Sequence, residues 1–173
     1  METIVYNDVI DKSDWGDGPW LDEPDKVQWP DEATGLPCMV KRGPGGNWCG
    51  YVGVAEGHPL YKKGYTYSWD DEVEGPTVNQ LEVHGGVTYT DLCAEHEPGE
   101  EGHAICHVPG PNDPDPVWWI GFDCGHAWDL SPERTARYAK LGIAPFADEV
   151  YRDIYYVKAQ TVNLAKQLHA IDN

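Results

Sequence analysis

Apolar and polar residues alternate in several short segments between residues 37 and 122, and this alternation is typical of half-buried β-strands. Two of the segments are joined by a loop that contains only Gly and Pro, so they predict a β-hairpin. Successive residues of its second strand should point to opposite faces of a sheet. The predicted strands cover residues 37–42, 47–54, 79–89, 104–108 and 117–122.

After residue 130 the apolar residues recur at the spacing of helices. Ser131-Pro132-Glu133 is a favourable helix start, with Ser as the cap and Pro at the first helical position, and this helix should end near residues 140–142. A second helix is predicted from Pro145 to about Ala170. Its apolar stripe should cover one face of the sheet, and homodimerisation through the stripe is the alternative. The stripe consists of Val150, Ile154, Val157, Thr161, Leu164, Leu168 and Ile171.

A series of strands followed by helices predicts an α+β fold, with an antiparallel sheet of about five or six strands and C-terminal helices packed on it. The 173 residues are most simply one domain. Its first part is rich in turn residues and is expected to be an irregular arm anchored by Trp15, Trp20 and Trp29. The domain then divides into the arm, a β-rich core and a helical C-terminal region, at residues 1–37, 38–130 and 131–173.

The formal net charge of −18 is unevenly distributed along the chain. Residues 1–32 contain ten Asp and Glu against two Lys, and residues 70–101 contain ten Asp and Glu with no Lys or Arg. Such a field repels nucleic acid and anionic membranes, so direct binding to either is not expected. It favours cations and basic partners. One hypothesis is therefore that the acidic surface imitates a nucleic-acid backbone and occupies a basic groove of another protein.

The N-terminus has neither the basic start nor the apolar core of a signal peptide, and no apolar run approaches the ~18 residues of a membrane span. A soluble cytoplasmic protein is expected. The chain has five Cys, none of them in a Cys-x-x-Cys spacing, and reduced thiols are the expectation in that compartment.

The segment 117–129 begins as an apolar strand and ends in side chains that can do chemistry. A buried strand that delivers polar groups to its end is one way in which a binding site is formed. A second unusual feature is His84-Gly85-Gly86, which falls inside the predicted strand 79–89, where two glycines reduce strand stability. We expect a site where this triplet faces the end of the other strand. The polar residues at that end are Asp123, Cys124, His126 and Asp129.

Two interpretations of this site use Cys124. In the first, His84, Cys124 and His126 bind zinc, with Asp123 or Asp129 as a further ligand, because imidazole and thiolate are preferred zinc donors. In the second, Cys124 is a nucleophile, a histidine is its base, and an aspartate orients the imidazole. Cys-x-His alone is not a diagnostic zinc spacing, so both interpretations remain open.

Two further interpretations need no thiol. General acid–base catalysis would use the imidazoles and carboxylates without a covalent step, and the candidate catalytic residues are His84, Asp123, His126 and Asp129. A non-catalytic pocket would instead hold a small ligand between aromatic rings and bare backbone. Its candidate binding residues are Gly85, Gly86, Trp119 and Trp128.

Four segments of the chain resemble a family of small uncharacterised proteins encoded by bacteriophages. They are WGDGPW at 15–20, WCGYVGV at 48–54, HGGVTY at 84–89 and GFDCGH at 121–126. The resemblance extends from about residue 13 to the final helix and carries no known activity. It implies a context, in which the protein acts in the cytoplasm of an infected bacterium on a host or defence component or on a small metabolite.

These observations lead to two hypotheses of different classes. The first is a small acidic protein whose His/Asp/Cys pocket binds, and in its enzymatic form hydrolyses, a small polar or nucleotide-like ligand. The scarcity of Lys and Arg argues against an anionic ligand unless the pocket is locally positive. The alternative is an acidic inhibitor that imitates nucleic acid and blocks a host or defence protein with a basic binding surface.

Overall fold

The computed structural model describes residues 1–65, 75–93, 96–144 and 148–172, and it confirms the α+β class. Six strands form one antiparallel sheet in the order β1-β2-β3-β4-β6-β5. The strands are β1 (Ile4–Tyr6), β2 (Lys26–Pro30), β3 (Pro37–Arg42), β4 (Trp48–Val54), β5 (Tyr89–Leu92) and β6 (Trp118–Asp123). The helices are α1 (Pro132–Lys140) and α2 (Ile154–Asp172). None of the helices that the structure describes is long and apolar enough to cross a membrane.

The predicted hairpin is the β3–β4 pair at the centre of the sheet, and all seven residues of β4 are buried. Its alternation is as expected. Trp48, Val52 and Val54 belong to the apolar core on one face of the sheet, whereas Cys49 and Tyr51 belong to the core on the other face. A strand buried on both sides requires a second layer on each face of the sheet.

The first face is covered by α2, whose apolar stripe from Ile154 to Leu168 is buried against the sheet as predicted. Val150, the first predicted member of the stripe, precedes the helix and is 48% exposed. Thr161, the polar member of the stripe, is buried and donates its hydroxyl to the carbonyl of Val157 at 2.8 Å. The stripe is therefore used within the chain rather than presented for dimerisation. The predicted helix start at Pro145 falls in residues 145–147, which lie outside the described part of the chain. The observed helix begins at Ile154, because the Asp153 carboxylate accepts the Tyr156 N–H at 2.8 Å and caps it.

The second face is covered by the segment 96–108, which is not helical and contains no strand. The strand predicted at 104–108 is therefore wrong. The backbone groups of these residues form hydrogen bonds with side chains of β2 rather than with the backbone of a neighbouring strand. The Lys26 ammonium donates to the carbonyls of Ala104 and Cys106 at 2.9 and 2.6 Å, and the Gln28 amide bonds both the N–H and the carbonyl of Val108. Burial lowers the pKa of Lys26 to about 8.

The strand predicted at 79–89 is also wrong over most of its length. Residues 78–80 form a 3-10 turn, His84-Gly85-Gly86 forms a turn, and β5 begins only at Tyr89. Gly85 and Gly86 have φ of 68° and 87°, a region that glycine occupies at little cost. The glycine pair therefore reverses the chain rather than interrupting a strand.

Residues 1–37 contain two strands of the sheet, β1 and β2, and are less irregular than predicted. Trp15 is buried, whereas Trp20 and Trp29 are half-buried. The arm is anchored chiefly by an ion pair between Glu23 and the fully buried Arg42, at 2.7 Å.

α1 begins and ends where the sequence predicts, but its cap differs. The Ser131 hydroxyl makes no capping bond, and the carbonyl of Gly45 accepts the N–H of Glu133 at 3.1 Å. The loop of the hairpin thus caps the N-terminus of the helix. The expectation of reduced thiols is wrong for one pair, since Cys93 and Cys106 form a disulfide, whereas the three remaining cysteines, Cys38, Cys49 and Cys124, are buried and free.

Replacing Gly50 by Ala should destabilise the fold, because the added Cβ would lie 2.3 Å from Thr161 Oγ1 and 2.6 Å from the Phe122 ring. Overpacking of this kind costs about 1–3 kcal/mol of the free energy of unfolding, to be measured by urea denaturation. The control is Gly64→Ala, where the nearest atom would be Thr90 Oγ1 at 3.9 Å. Equal stability of the two variants would contradict the close packing of α2 on β4.

Candidate active site

The buried carboxylate of Asp129 joins the residues of the site. Its Oδ2 accepts hydrogen bonds from His84 Nε2 at 2.8 Å and from the His126 backbone N–H at 3.2 Å, and it lies 3.3 Å from His126 Nδ1. Its Oδ1 accepts from Arg152 Nε at 3.2 Å. Asp129 itself has no exposed surface. Four groups thus converge on one carboxylate that water does not reach.

Asp129 is fixed by its backbone as well as by its side chain. It closes the turn that follows β6, with its N–H donated to the His126 carbonyl at 3.0 Å, and it forms an isolated bridge with Val150. Arg134 of α1 donates to the Asp129 carbonyl at 2.7 Å and pairs with Glu149 at 3.1 Å. The end of a central strand and the first helix therefore determine where the carboxylate points.

His84 reaches the site from the glycine turn rather than from a neighbouring strand. Its Nδ1 lies 3.0 Å from the Tyr156 hydroxyl of α2, and its Nε2 is bonded to Asp129, so both ring nitrogens have partners. Gly85 is needed for a second reason besides its φ. A Cβ at this position would lie 2.0 Å from His126 Cε1, so the bare backbone makes room for the second imidazole. The predicted meeting of the triplet with the end of β6 occurs, though not through strand pairing.

His126 differs from His84 in that only one of its ring nitrogens faces a hydrogen-bond partner. Its side chain is 21% exposed, its Nδ1 faces Asp129, and no partner of its Nε2 is seen among the described residues. The ring stacks on Trp128 with centroids 5.2 Å apart and an interplanar angle of 8°. Trp128 is 54% exposed, so the outer face of its indole is open to a flat ligand.

The charge state of Asp129 follows from two opposed effects. Burial raises the pKa of this carboxyl group, but the hydrogen bonds from His84, Arg152 and the His126 N–H favour the carboxylate more strongly. The net result is a pKa below its ordinary value. Asp129 is therefore an anion at neutral pH and can stabilise a protonated imidazole beside it.

Two of the residues predicted for the site lie in the apolar cores, and a third, Asp123, bonds to the backbone beside the site. Cys124 is buried in the core below α2, and burial followed by the charge of Asp129 raises the pKa of its thiol well above the ordinary value, which opposes a nucleophilic role. Asp123 accepts the Gly125 N–H at 2.8 Å. Trp119 is fully buried in the core on the opposite face of the sheet, where it cannot contact a ligand at His126.

His84, His126 and Asp129 are the residues of this site that could hold a metal ion, since one donor atom of each lies within 4.8 Å of the others. Asp129 thus takes the position that the sequence analysis gave to Cys124. Arg152, Tyr156 and Arg134 also belong to the site and were not predicted. Arg152 is 23 residues from Asp129 and Tyr156 is 72 residues from His84, and no local spacing indicates such partners. Arg134 is only five residues from Asp129 but reaches it from α1.

A groove of about 750 Å³ lies away from these histidines, along the N-terminal arm. It is lined by residues 7–13 and 21–23, which include Asp8, Asp11, Asp22 and Glu23. We place the candidate active site at the histidines because perturbed and convergent polar groups, rather than volume, indicate chemistry.

Comparison with known protein families, with curated proteins and with solved structures found no match for this chain.

Asp129→Asn should lower the free energy of unfolding by about 3 kcal/mol at pH 7, because breaking a buried ion pair leaves its partners uncompensated. The folded-state pKa of Asp129 is lowered, so its stabilisation is fully present above the ordinary value of 3.8 and is lost as the pH falls through the lowered value. The difference between the variant and the wild type should therefore narrow below pH 3.8. Urea titrations from pH 7 to pH 3 measure it.

The control for this experiment is Asp17→Asn, which removes an exposed carboxylate of the arm. It should leave the free energy of unfolding unchanged at every pH. A gap between wild type and Asp129→Asn that stays constant into acid would contradict the ionised, paired state of Asp129.

Proposed function

We propose that the protein binds and hydrolyses a small anionic, nucleotide-like ligand at the His126–Asp129 pair. One observation carries the proposal. A buried carboxylate holds His126 through Nδ1, and Nε2 has no partner among the described residues, on a half-buried ring beside an exposed indole. An oriented imidazole with one open nitrogen is the arrangement that general acid–base catalysis needs.

Two guanidinium groups near the pair support an anionic ligand in spite of the acidic chain. Arg152 uses Nε for Asp129, and its side chain is 27% exposed, so its terminal nitrogens can face solvent. Arg134 is 22% exposed, donates to the backbone carbonyl of Asp129 and pairs with Glu149. The two guanidinium groups are balanced by the carboxylates of Asp129 and Glu149, so it is their geometry that favours an anionic ligand, since guanidinium matches phosphate oxygens well.

The proposed reaction assigns one task to each group. His126 Nε2 removes a proton from a water molecule, and the water oxygen forms a bond to a phosphorus atom of the ligand. The bond from phosphorus to the leaving oxygen breaks, and the imidazolium returns the proton to that oxygen. Asp129 stabilises the imidazolium that forms and keeps its ring in place. Trp128 stacks on the flat part of the ligand, and Arg152 binds its anionic part. His84 is a positioning residue, because Tyr156 and Asp129 already occupy its nitrogens.

We assign the base to His126 rather than to a metal-bound water. Arg152 already neutralises Asp129, and both nitrogens of His84 are bonded within the protein, so a metal would have to displace these partners. With His126 rather than a metal-bound water as the base, treatment with a chelator should leave activity unchanged.

The Gly86 N–H does not serve as an oxyanion donor, because it donates to the Val83 carbonyl at 3.0 Å.

Nucleoside mono-, di- and triphosphates serve as probes, with thermal shift and titration calorimetry for binding and phosphate release for turnover. Trp128→Ala should weaken binding roughly 5- to 100-fold, since stacking on a base contributes about 1–3 kcal/mol. His126→Gln should lower kcat by about 10²- to 10⁴-fold with little effect on KM, because a general base accelerates the hydrolytic step and does not contribute to ligand affinity.

Tyr155→Ala is the matched control, because Tyr155 is 80% exposed on α2 and lies outside the histidine cluster. It should change neither binding nor kcat. Failure of all these nucleotides to bind would contradict the ligand class. Binding without phosphate release would contradict the hydrolytic step, and the protein would then be a nucleotide-binding protein without hydrolytic activity.

A second candidate function, inhibition by an acidic surface, is favoured by the position of the carboxylates in residues 1–32. Three of the ten, Glu23, Asp25 and Asp31, bond within the fold. The other seven are exposed, namely Glu2, Asp8, Asp11, Asp14, Asp17, Asp22 and Glu32. Of the second acidic stretch, residues 70–74 and 94–95 lie outside the described part of the chain.

The test of this function is displacement of a labelled DNA duplex from bacterial DNA-binding proteins, followed by fluorescence anisotropy. Asp8→Asn, Asp17→Asn and Asp22→Asn together should weaken displacement at least about tenfold, and displacement should weaken further from 50 to 200 mM salt, because surface charges are screened. The control removes three exposed carboxylates elsewhere, with Glu56→Gln, Asp148→Asn and Asp172→Asn. Equal effects of the two triple variants would contradict a localised acidic surface.

A further inference from the structure

A second cluster of metal-binding side chains lies outside the candidate active site. It consists of Cys93, His96 and Cys106, and one donor atom of each lies within 4.8 Å of the others. Cys93 directly follows β5 at the edge of the sheet, and His96 and Cys106 belong to the segment 96–108. The cluster thus joins the end of an edge strand to the segment that covers the second face.

The backbone around Cys106 is held in place independently of any metal. The buried ammonium of Lys26 donates to the Cys106 carbonyl at 2.6 Å, and Gln28 bonds Val108 two residues later. Cys106 is 1% exposed, whereas His96 is exposed at the rim. One ligand is therefore fixed in the interior and another is reachable from solvent, which gives an ion a route to the cluster.

The ligand types select the metal. Two thiolates and one imidazole are the donors that zinc prefers over calcium, magnesium or manganese, which favour oxygen. Zinc takes four ligands, so a water molecule would complete the set. We infer that Cys93, His96 and Cys106, with both thiols reduced, form a zinc site, and that the disulfide between the two cysteines is the oxidised form of the same site.

The two forms interconvert by a balanced reaction. Hydrogen peroxide accepts two electrons from the two zinc-bound thiolates, the S–S bond forms and the O–O bond breaks. Two protons from solvent complete two water molecules, and Zn²⁺ is released because the disulfide is no longer a thiolate donor. A thiol reductant reduces the disulfide to two thiols and is itself oxidised to a disulfide, and added Zn²⁺ then restores the site. The segment 96–108 stays connected to β5 in both forms.

The experiment uses the full chain reduced with a phosphine and then freed of reductant and metal. Zinc binding is measured by competition with a chromophoric chelator, and cobalt binding by its thiolate-to-metal charge-transfer absorption. We expect one zinc per chain and a charge-transfer band, which a metal at His84, His126 and Asp129 would not give. Hydrogen peroxide should release the zinc and remove two thiols that are reactive in the reduced protein.

His96→Ala should weaken zinc binding by more than about 100-fold, because loss of a ligand exceeds the 10- to 100-fold cost of losing a supporting partner. The side chain is exposed, so the variant keeps the core intact. His103→Ala is the matched control from the same segment, since His103 is exposed and outside the cluster, and its affinity should equal that of the wild type. Reduced wild type without zinc uptake, or equal affinities of wild type and His96→Ala, would overturn the assignment.

Discussion

The buried ion pair between Glu23 and Arg42 is the interaction on which the arrangement of the elements depends. Arg42 lies 4.1 Å above the Trp48 ring and donates to the Tyr151 hydroxyl at 2.7 Å, while Glu23 accepts the N–H of Ile154 at 3.1 Å. One pair thereby joins the arm, the central hairpin and the start of α2. Removing charges from water is costly unless hydrogen-bond partners are supplied, and these partners come from all three elements, although Arg42 Nε has none among the described residues. The pair makes the fold cooperative.

Asp129 is a second carboxylate that is removed from water and surrounded by hydrogen-bond donors. The proposed chemistry follows from this environment. A carboxylate removed from water must be surrounded by donors, and two imidazoles and a guanidinium supply them. The same requirement orients His126 and brings the guanidinium group of Arg152 to the site, in a chain that is otherwise strongly acidic. The histidine site and the stability of the turn after β6 are therefore inseparable, and a change at Asp129 affects both.

Much of the fold could be predicted, because a Gly/Pro loop between two apolar runs indicates a hairpin and a regular apolar stripe indicates a helix on a sheet. Residues 104–108 misled the prediction, since they alternate like a strand but bond to the side chains of Lys26 and Gln28. The meeting of His84 with the end of β6 was predictable from residue types. The partners Arg152 and Tyr156 were not, because they arrive through tertiary packing that one sequence does not display.

The two faces of the sheet are closed by different means, and this has a consequence for how the molecule opens. α2 is a continuous helix with a buried stripe, whereas the segment 96–108 is held by two polar side chains of β2 and by its link to Cys93. Fewer backbone bonds hold the second cover, so its local opening should require less free energy than separation of α2. Amide hydrogens of 96–108 would then exchange before those of β3 and β4. The cover formed by 96–108 is therefore expected to be the less stable of the two.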